Sequence, residues 1–114
     1  MQYKRRADQL NWQPHPSGAA GIDMKVLRSH RDDSTPETIV LVRIKAGSVV
    51  APHVHPESDD NLYILSGRAT MRVADETFSI GPEDQITVPI NTDHEIFDVT
   101  EDLLIYDVFA PPAF

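Results

Sequence analysis

From Ile22 onward the chain is a succession of short apolar runs cut by turn residues. "IDMKVLR" (22–28) alternates at its start. "TIVLVRIKA" (38–46) is β-branched, opening as a buried run before alternating. "NLYILS", "RATMRVA", "TFSI", "QITVPI", "HEIFDV" and "LLIYDVF" follow, separated by Gly47, Ser66-Gly67, Asp75-Glu76, Gly81-Pro82 and Asn91-Thr92. Short strands recurring every ~8 to 12 residues predict an all-β sandwich or barrel. No segment holds a helical period over a window of about 11 residues. The prolines sit mostly at run edges, where a residue that cannot donate to a strand ladder is tolerated.

In "RATMRVA", Ala69, Met71 and Val73 share one face and Thr70 and Arg72 the other, so this strand is half buried. A tight turn around Asp75-Glu76 leads into "TFSI", where Phe78 and Ile80 continue the inward face. Ser66-Gly67 reads as a second hairpin turn, and "RDDSTPE" as a polar loop. Upstream, "NWQPHPSGAAG" (11–21) is an irregular lead-in. The pattern divides the chain into an N-terminal arm, residues 1–21, and a single β domain, residues 22–114.

Composition narrows the function classes. The 114 residues suffice for one domain with a modest core, and the 40% hydrophobic and 25% charged content is ordinary for a soluble globular protein. A net charge of −8 argues against a nucleic-acid partner, which needs a basic face. Lys4, Arg5 and Arg6 cluster near the start and read as a solvated, frayed end. No apolar run approaches the roughly 18 residues that would cross a membrane, and "MQYKRRADQL" has no apolar stretch behind its charges, so no secretory signal is expected. Cysteine is absent, which excludes disulfides and thiolate metal sites and is compatible with a cytoplasmic protein.

The candidate chemistry lies in the histidines. His15, between two prolines, and His30, at a loop start, read as surface residues. His53 and His55, in "SVVAPHVHP", stand at i and i+2 after a strand-like run, so both imidazoles project to one side. His94 opens another run, with Ile96 and Asp98 as its same-face neighbours. By itself the H-x-H pair also fits a solvated turn. Glu57, Asp59 or Asp60 could add a carboxylate, and Asp60 shares parity with Leu62 and Ile64. Three imidazoles and one carboxylate make a mixed N/O site for a divalent Mn, Fe, Ni, Co or Zn ion. An open position on such an ion supports Lewis-acid chemistry.

The spacing "GSVVAPHVHPESDDNLYILSG" resembles the first motif of the cupin superfamily, with Gly47, His53, His55, Asp60 and Gly67 on the marked positions. The family usually has Glu where Asp60 stands. "GPEDQITVPINTDHEIFD" is similar to the second motif, with Pro89 and His94 matched, Asn91 in place of a turn glycine and Asp98 where Asn is common. The resemblance implies a cupin-type double-stranded β-helix, a jelly-roll barrel with the metal inside its mouth. His53, His55, Asp60 and His94 carry over as ligands. "YDVFAPPAF" resembles the end of the small cupins that open the ring of unsaturated uronates, where the equivalents of Asp107 and Phe109 line the pocket beside an arginine. Here Ala113 holds the arginine position, and a guanidinium clamp for a substrate carboxylate is missing.

The resemblance therefore implies a metal-dependent enzyme, of isomerase/lyase or dioxygenase type, acting on a small oxygenated metabolite. Asp107 would move the proton. Val49, Leu62, Ile64, Met71, Ile96 and Phe109 would line the substrate pocket. The alternative is a non-catalytic module binding a sugar or metabolite around a structural metal. The apolar faces of "IVLV" and "LLIYDV" exceed what one side of a small barrel needs, which predicts a homodimer.

Overall fold

The alternation written in the sequence is realised in the strands of the computed structural model, which describes residues 2–114. The strands are β1 (Gln13–Pro14), β2 (Ile22–Arg28), β3 (Thr38–Ile44), β4 (Val50–His53), β5 (Asp59–Val73), β6 (Glu76–Ile80), β7 (Gln85–Val88) and β8 (His94–Ala110). On β3, Thr38, Val40, Val42 and Ile44 are buried while Ile39, Leu41 and Arg43 are half-buried on the outer face. All pairings are antiparallel, in the order β1-β2-β3-β8-β5-β6, with β4 also on β8 and β7 also on β5. β5 and β8 pair along nearly their whole lengths and contribute to both walls of a jelly-roll barrel. The core inside is filled by Ile22, Val40, Ile44, Ile64, Met71, Leu103 and Ile105, each almost inaccessible to solvent.

Two expectations are corrected at the corners. Ser66-Gly67 is not a hairpin turn, because β5 runs straight through it. "HEIFDV" and "LLIYDVF" are likewise one strand, β8. What the sequence registers as turns are bulges. On β5 the buried residues are Asp60, Leu62 and Ile64 before the irregularity, then Gly67, Ala69 and Met71 after it. On β8 they are His94 and Ile96, then Val99, Leu103, Ile105, Asp107 and Phe109. In each strand one extra residue moves the inward parity from even to odd numbers, so the same face stays inward as the strand bends. Asp98 takes up the change on β8 with φ 48° and is exposed, rather than sharing a face with His94 and Ile96. Gly67, with φ 95°, does so on β5, and a Cβ there would lie 2.2 Å from the Asp102 carbonyl oxygen. The β5–β6 turn occurs as expected, with Ala74-Asp75 between the paired Val73 and Glu76.

The polar loop after β2 holds one helical turn, α1 (His30–Asp33), because Ser29 accepts from the Asp32 N–H while Asp33 accepts from the Ser29 N–H. The N-terminal arm is not frayed. Arg5 pairs with Asp33 at 3.1 Å, Lys25 donates to the Ala7 carbonyl at 2.7 Å, and the Trp12 ring is flanked by Lys25 and Arg43. At the other end Thr38 donates to the Phe114 carbonyl at 2.7 Å and its hydroxyl accepts from the Ala113 and Phe114 N–H groups. Both terminal segments are thereby fixed against the β2–β3 wall.

Gly67→Ala should destabilise the fold by about 2 kcal/mol or more, since it adds a clash with backbone to a left-handed φ. The melting temperature should fall by roughly 8 °C or more. A thermal scan showing no change would disprove the account of the β5 corner.

Candidate metal centre

The antiparallel register of β4 and β8 sets His53 directly opposite His94. His55, two residues beyond His53, projects to the same side, while Val54 between them is 46% exposed. The ligand nitrogens of His53, His55 and His94 lie within 4.8 Å of one another. The His53 and His94 ring centroids are 4.1 Å apart, and those of His55 and His94 5.1 Å. The turn before β8 holds both sides of the site. Asn91, at φ 58°, donates its N–H to the His55 carbonyl at 2.9 Å, three residues ahead of His94.

Hydrogen bonds fix the tautomers of two rings. His53 Nδ1 is 2.8 Å from the Ala51 carbonyl oxygen and His94 Nδ1 is 2.9 Å from that of Thr92. A carbonyl only accepts, so both Nδ1 atoms carry the proton and both Nε2 atoms carry a lone pair when the rings are neutral. His94 is 3% exposed, and its Nε2 has no hydrogen-bond partner. A buried acceptor without a donor costs free energy, which a cation in that position would offset. A backbone carbonyl on the distal nitrogen is the usual support of a metal-binding imidazole.

Of the three candidate carboxylates only Asp60 faces the rings. Its Oδ2 is 3.4 Å from His55 Nε2 and 3.8 Å from His94 Nε2. Asp59 points away and accepts from the Ile90 N–H, and Glu57 is exposed. Asp107 pairs with Leu62 across the sheet, next to the Asp60–Phe109 pair, so both carboxyls face the interior. Burial, then the neighbouring Asp60, push the Asp107 carboxyl well above its ordinary value. Burial also pushes Asp60 up, but hydrogen bonding to Asp107 and His55 and the positive imidazoles outweigh it and hold Asp60 below its ordinary value. Two adjoining buried carboxyls do not both ionise cheaply, and the opposite shifts of Asp60 and Asp107 express that competition. Burial lowers the pKa of His94 against the raising effect of the Thr92 carbonyl.

These side chains border a cavity of about 50 Å³ whose apolar wall includes Leu62, Met71, Ile96 and Phe109. The Phe109 ring meets His55 at 5.0 Å in an edge-on contact. Two of the expected pocket residues lie elsewhere. Ile64 is fully buried in the core behind the wall, and Val49 is 52% exposed beside the β8 corner. His30 is exposed, donating to the Thr35 carbonyl. His15 is not a surface residue. The arm carries it to the cavity, where it is half-buried against the same space as the other three histidines, and burial followed by the charges of His53 and His55 lowers its pKa. Its placement follows from the β1–β2 pairing and the His15 N–H bond to the Ile22 carbonyl, neither of which has a local signature.

A family model for the cupin domain matches residues 40–109, more than half the chain. The chain is a cupin. The match runs from the centre of β3 to Phe109 and takes in the three histidines, Asp60 and Asp107. An uncharacterized protein of Streptomyces coelicolor is 29% identical over 75 residues, covering 66% of this chain and 70% of its own. Among solved structures, KdgF from Halomonas sp. superposes with a TM-score of 0.77 at 27% identity, over 91% of this chain and 88% of that one. The polyketide cyclase RemF from Streptomyces resistomycificus superposes with a TM-score of 0.82 at 19% identity, over 97% and 80%, a likeness of fold.

In the metal-free cupin, long-range proton–nitrogen NMR above the histidine titration range should show His53 and His94 as Nδ1–H tautomers. Protonated Nε2 in either ring would contradict the carbonyl contacts.

Proposed function

We propose that this cupin is a metal-dependent enzyme acting on a small oxygenated metabolite, with isomerase/lyase or dioxygenase chemistry. His53, His55, His94 and Asp60 would hold one divalent transition ion from the set Mn, Fe, Co, Ni and Zn. The observation that carries the reading is the buried, partnerless Nε2 of His94, aimed at two further imidazoles whose donor atoms lie within 4.8 Å. No thiolate donor is available, and the imidazole–carboxylate set suits those metals. Bound there, the ion would polarise a carbonyl or enol oxygen of the substrate.

The chain's own groups supply the rest. Asp107 has a buried Oδ1 without a partner at the cavity, which suits it to give or take a proton at the bound substrate. Leu62, Met71 and Ile96 give the cavity an apolar wall that would exclude water from the bound substrate. The Phe109 edge packs against His55, while the carbonyls of Ala51 and Thr92 support the other two rings. Ala113 speaks against a uronate as substrate, since no Lys or Arg among the described residues borders the cavity.

We also infer a homodimer. Ile39 and Leu41 on β3, Leu104, Tyr106 and Val108 on β8, and Tyr63 on β5 lie side by side on the outer face, with Tyr106 37% and Tyr63 40% exposed. A second copy apposed there would remove a continuous apolar strip from water.

Elemental analysis of the purified cupin should find about one transition metal per chain, and His53→Ala and His94→Ala should each lose most of it. Adding metal at about 100 times its Kd to stripped protein should contribute ~2.7 kcal/mol, raising the melting temperature by roughly 10 °C. A panel of metabolites with each metal restored should reveal turnover that both variants abolish, whereas binding without turnover would favour a non-catalytic module. In light scattering, Tyr63→Lys with Tyr106→Lys should halve the solution mass. A wild-type monomer would refute the dimer.

A further inference from the structure

A second chamber, of about 210 Å³, adjoins the metal centre. His15, Val42, His55, Asp107 and Phe109 border both spaces. The rest of its wall comes from three separate parts of the chain: Met24 and Val40 on β2 and β3, Pro16 on the N-terminal arm, and Ala113 and Phe114 on the C-terminal segment. Both terminal segments are fixed by the contacts described above, Arg5 to Asp33 at one end and Thr38 to Phe114 at the other. The chamber is therefore built by ordered structure.

Its chemistry is uneven. None of Pro16, Met24, Val40, Ala113 and Phe114 offers a side-chain hydrogen bond, and all polar side chains stand at the end shared with the metal centre. Among the described residues, no Lys or Arg borders either space. A sugar placed here would leave hydroxyls desolvated and unpaired, at about 1–3 kcal/mol each. A carboxylate in the far end would meet no cation. At His15, Nδ1 accepts from the Ser17 N–H at 3.2 Å, so the neutral ring carries its proton on Nε2 and offers it as a donor. The volume is below the roughly 300 Å³ of a site for drug-sized ligands, which limits the occupant to a body of one or two rings.

We propose that this chamber receives the flat apolar body of an uncharged oxygenated substrate, with its oxygen directed to the end where His15, His55 and Asp107 meet. The assignment deepens the proposed function and rests on it for the role of that oxygen. It makes Ala113 and Phe114 specificity-determining residues and His15 a positioning residue that donates to the ligand. The substrate class is an aromatic or cyclic enol, phenol or ketone, not an acidic sugar.

The two methionines of the site provide separate reporters, because Met24 borders only the chamber and Met71 only the metal cavity. Full-length protein labelled at the methionine methyls is titrated with 2-naphthol and, separately, with galacturonate, in zinc-loaded and chelator-treated forms. The naphthol should shift the Met24 methyl signal saturably, and galacturonate should leave it in place. Ala113→Trp, at an exposed position that should not disturb folding, should weaken naphthol binding at least tenfold. His15→Ala should weaken it less, with His15→Gln restoring part of the loss through its side-chain donor. An unmoved Met24 signal, equal binding of galacturonate at Met24, or undiminished naphthol binding by Ala113→Trp would each overturn the proposal. Zinc content is measured on the same samples. Absence of zinc with a shifted Met24 supports the chamber and overturns the metal reading, while full zinc occupancy with Met24 unmoved overturns the chamber alone.

Discussion

The site depends on a constraint of strand geometry: side chains alternate, and a strand that turns a corner must not lose its inward face. β5 and β8 both meet this by inserting one residue, near Gly67 and at Asp98. Without the second insertion, the parity that points His94 inward would have pointed Asp107 outward, since one number is even and the other odd. One strand therefore delivers a histidine to one side of the cavity and a carboxyl to another. The register of β4 on β8 then needs only to place His53 opposite His94.

The interior gathered this way is costly. Asp60, His94 and Asp107 are nearly inaccessible to solvent, and each has a polar atom without a partner. Each such atom typically costs about 1–3 kcal/mol. The apolar core, with Ile64 and Met71 fully buried, offsets that cost. The polar groups are concentrated rather than scattered, and Nδ1 of two imidazoles is tied to carbonyls of their own segments. A fold that only needed stability would have filled these positions with apolar side chains.

Much of this was legible in the sequence because it is encoded locally. The all-β class came from the spacing of short runs, and the common direction of His53 and His55 from their i, i+2 separation. Asn91 announced its left-handed turn by its residue type. What was not legible depends on long-range pairing. Ser66-Gly67 has the composition of a turn, but the approach of the Asp102 backbone gives that glycine its purpose in a bulge. A parity count puts Asp98 on one face with His94, because it cannot see an insertion that only the partner strand defines. His15 lies 38 positions before His53, with nothing in the residues around it to indicate that the arm folds back to the cavity.

The cation-free lining has a kinetic side. In a chain of net charge −8, a cavity that holds Asp60 and, among the described residues, no Lys or Arg on its wall lies in a long-range field that favours small cations over anions. The approach of any small cation is assisted by such a field, and that assistance fades as added salt screens it. Neutral molecules gain neither help nor hindrance from such a field, while small anions are disfavoured before they touch the barrel.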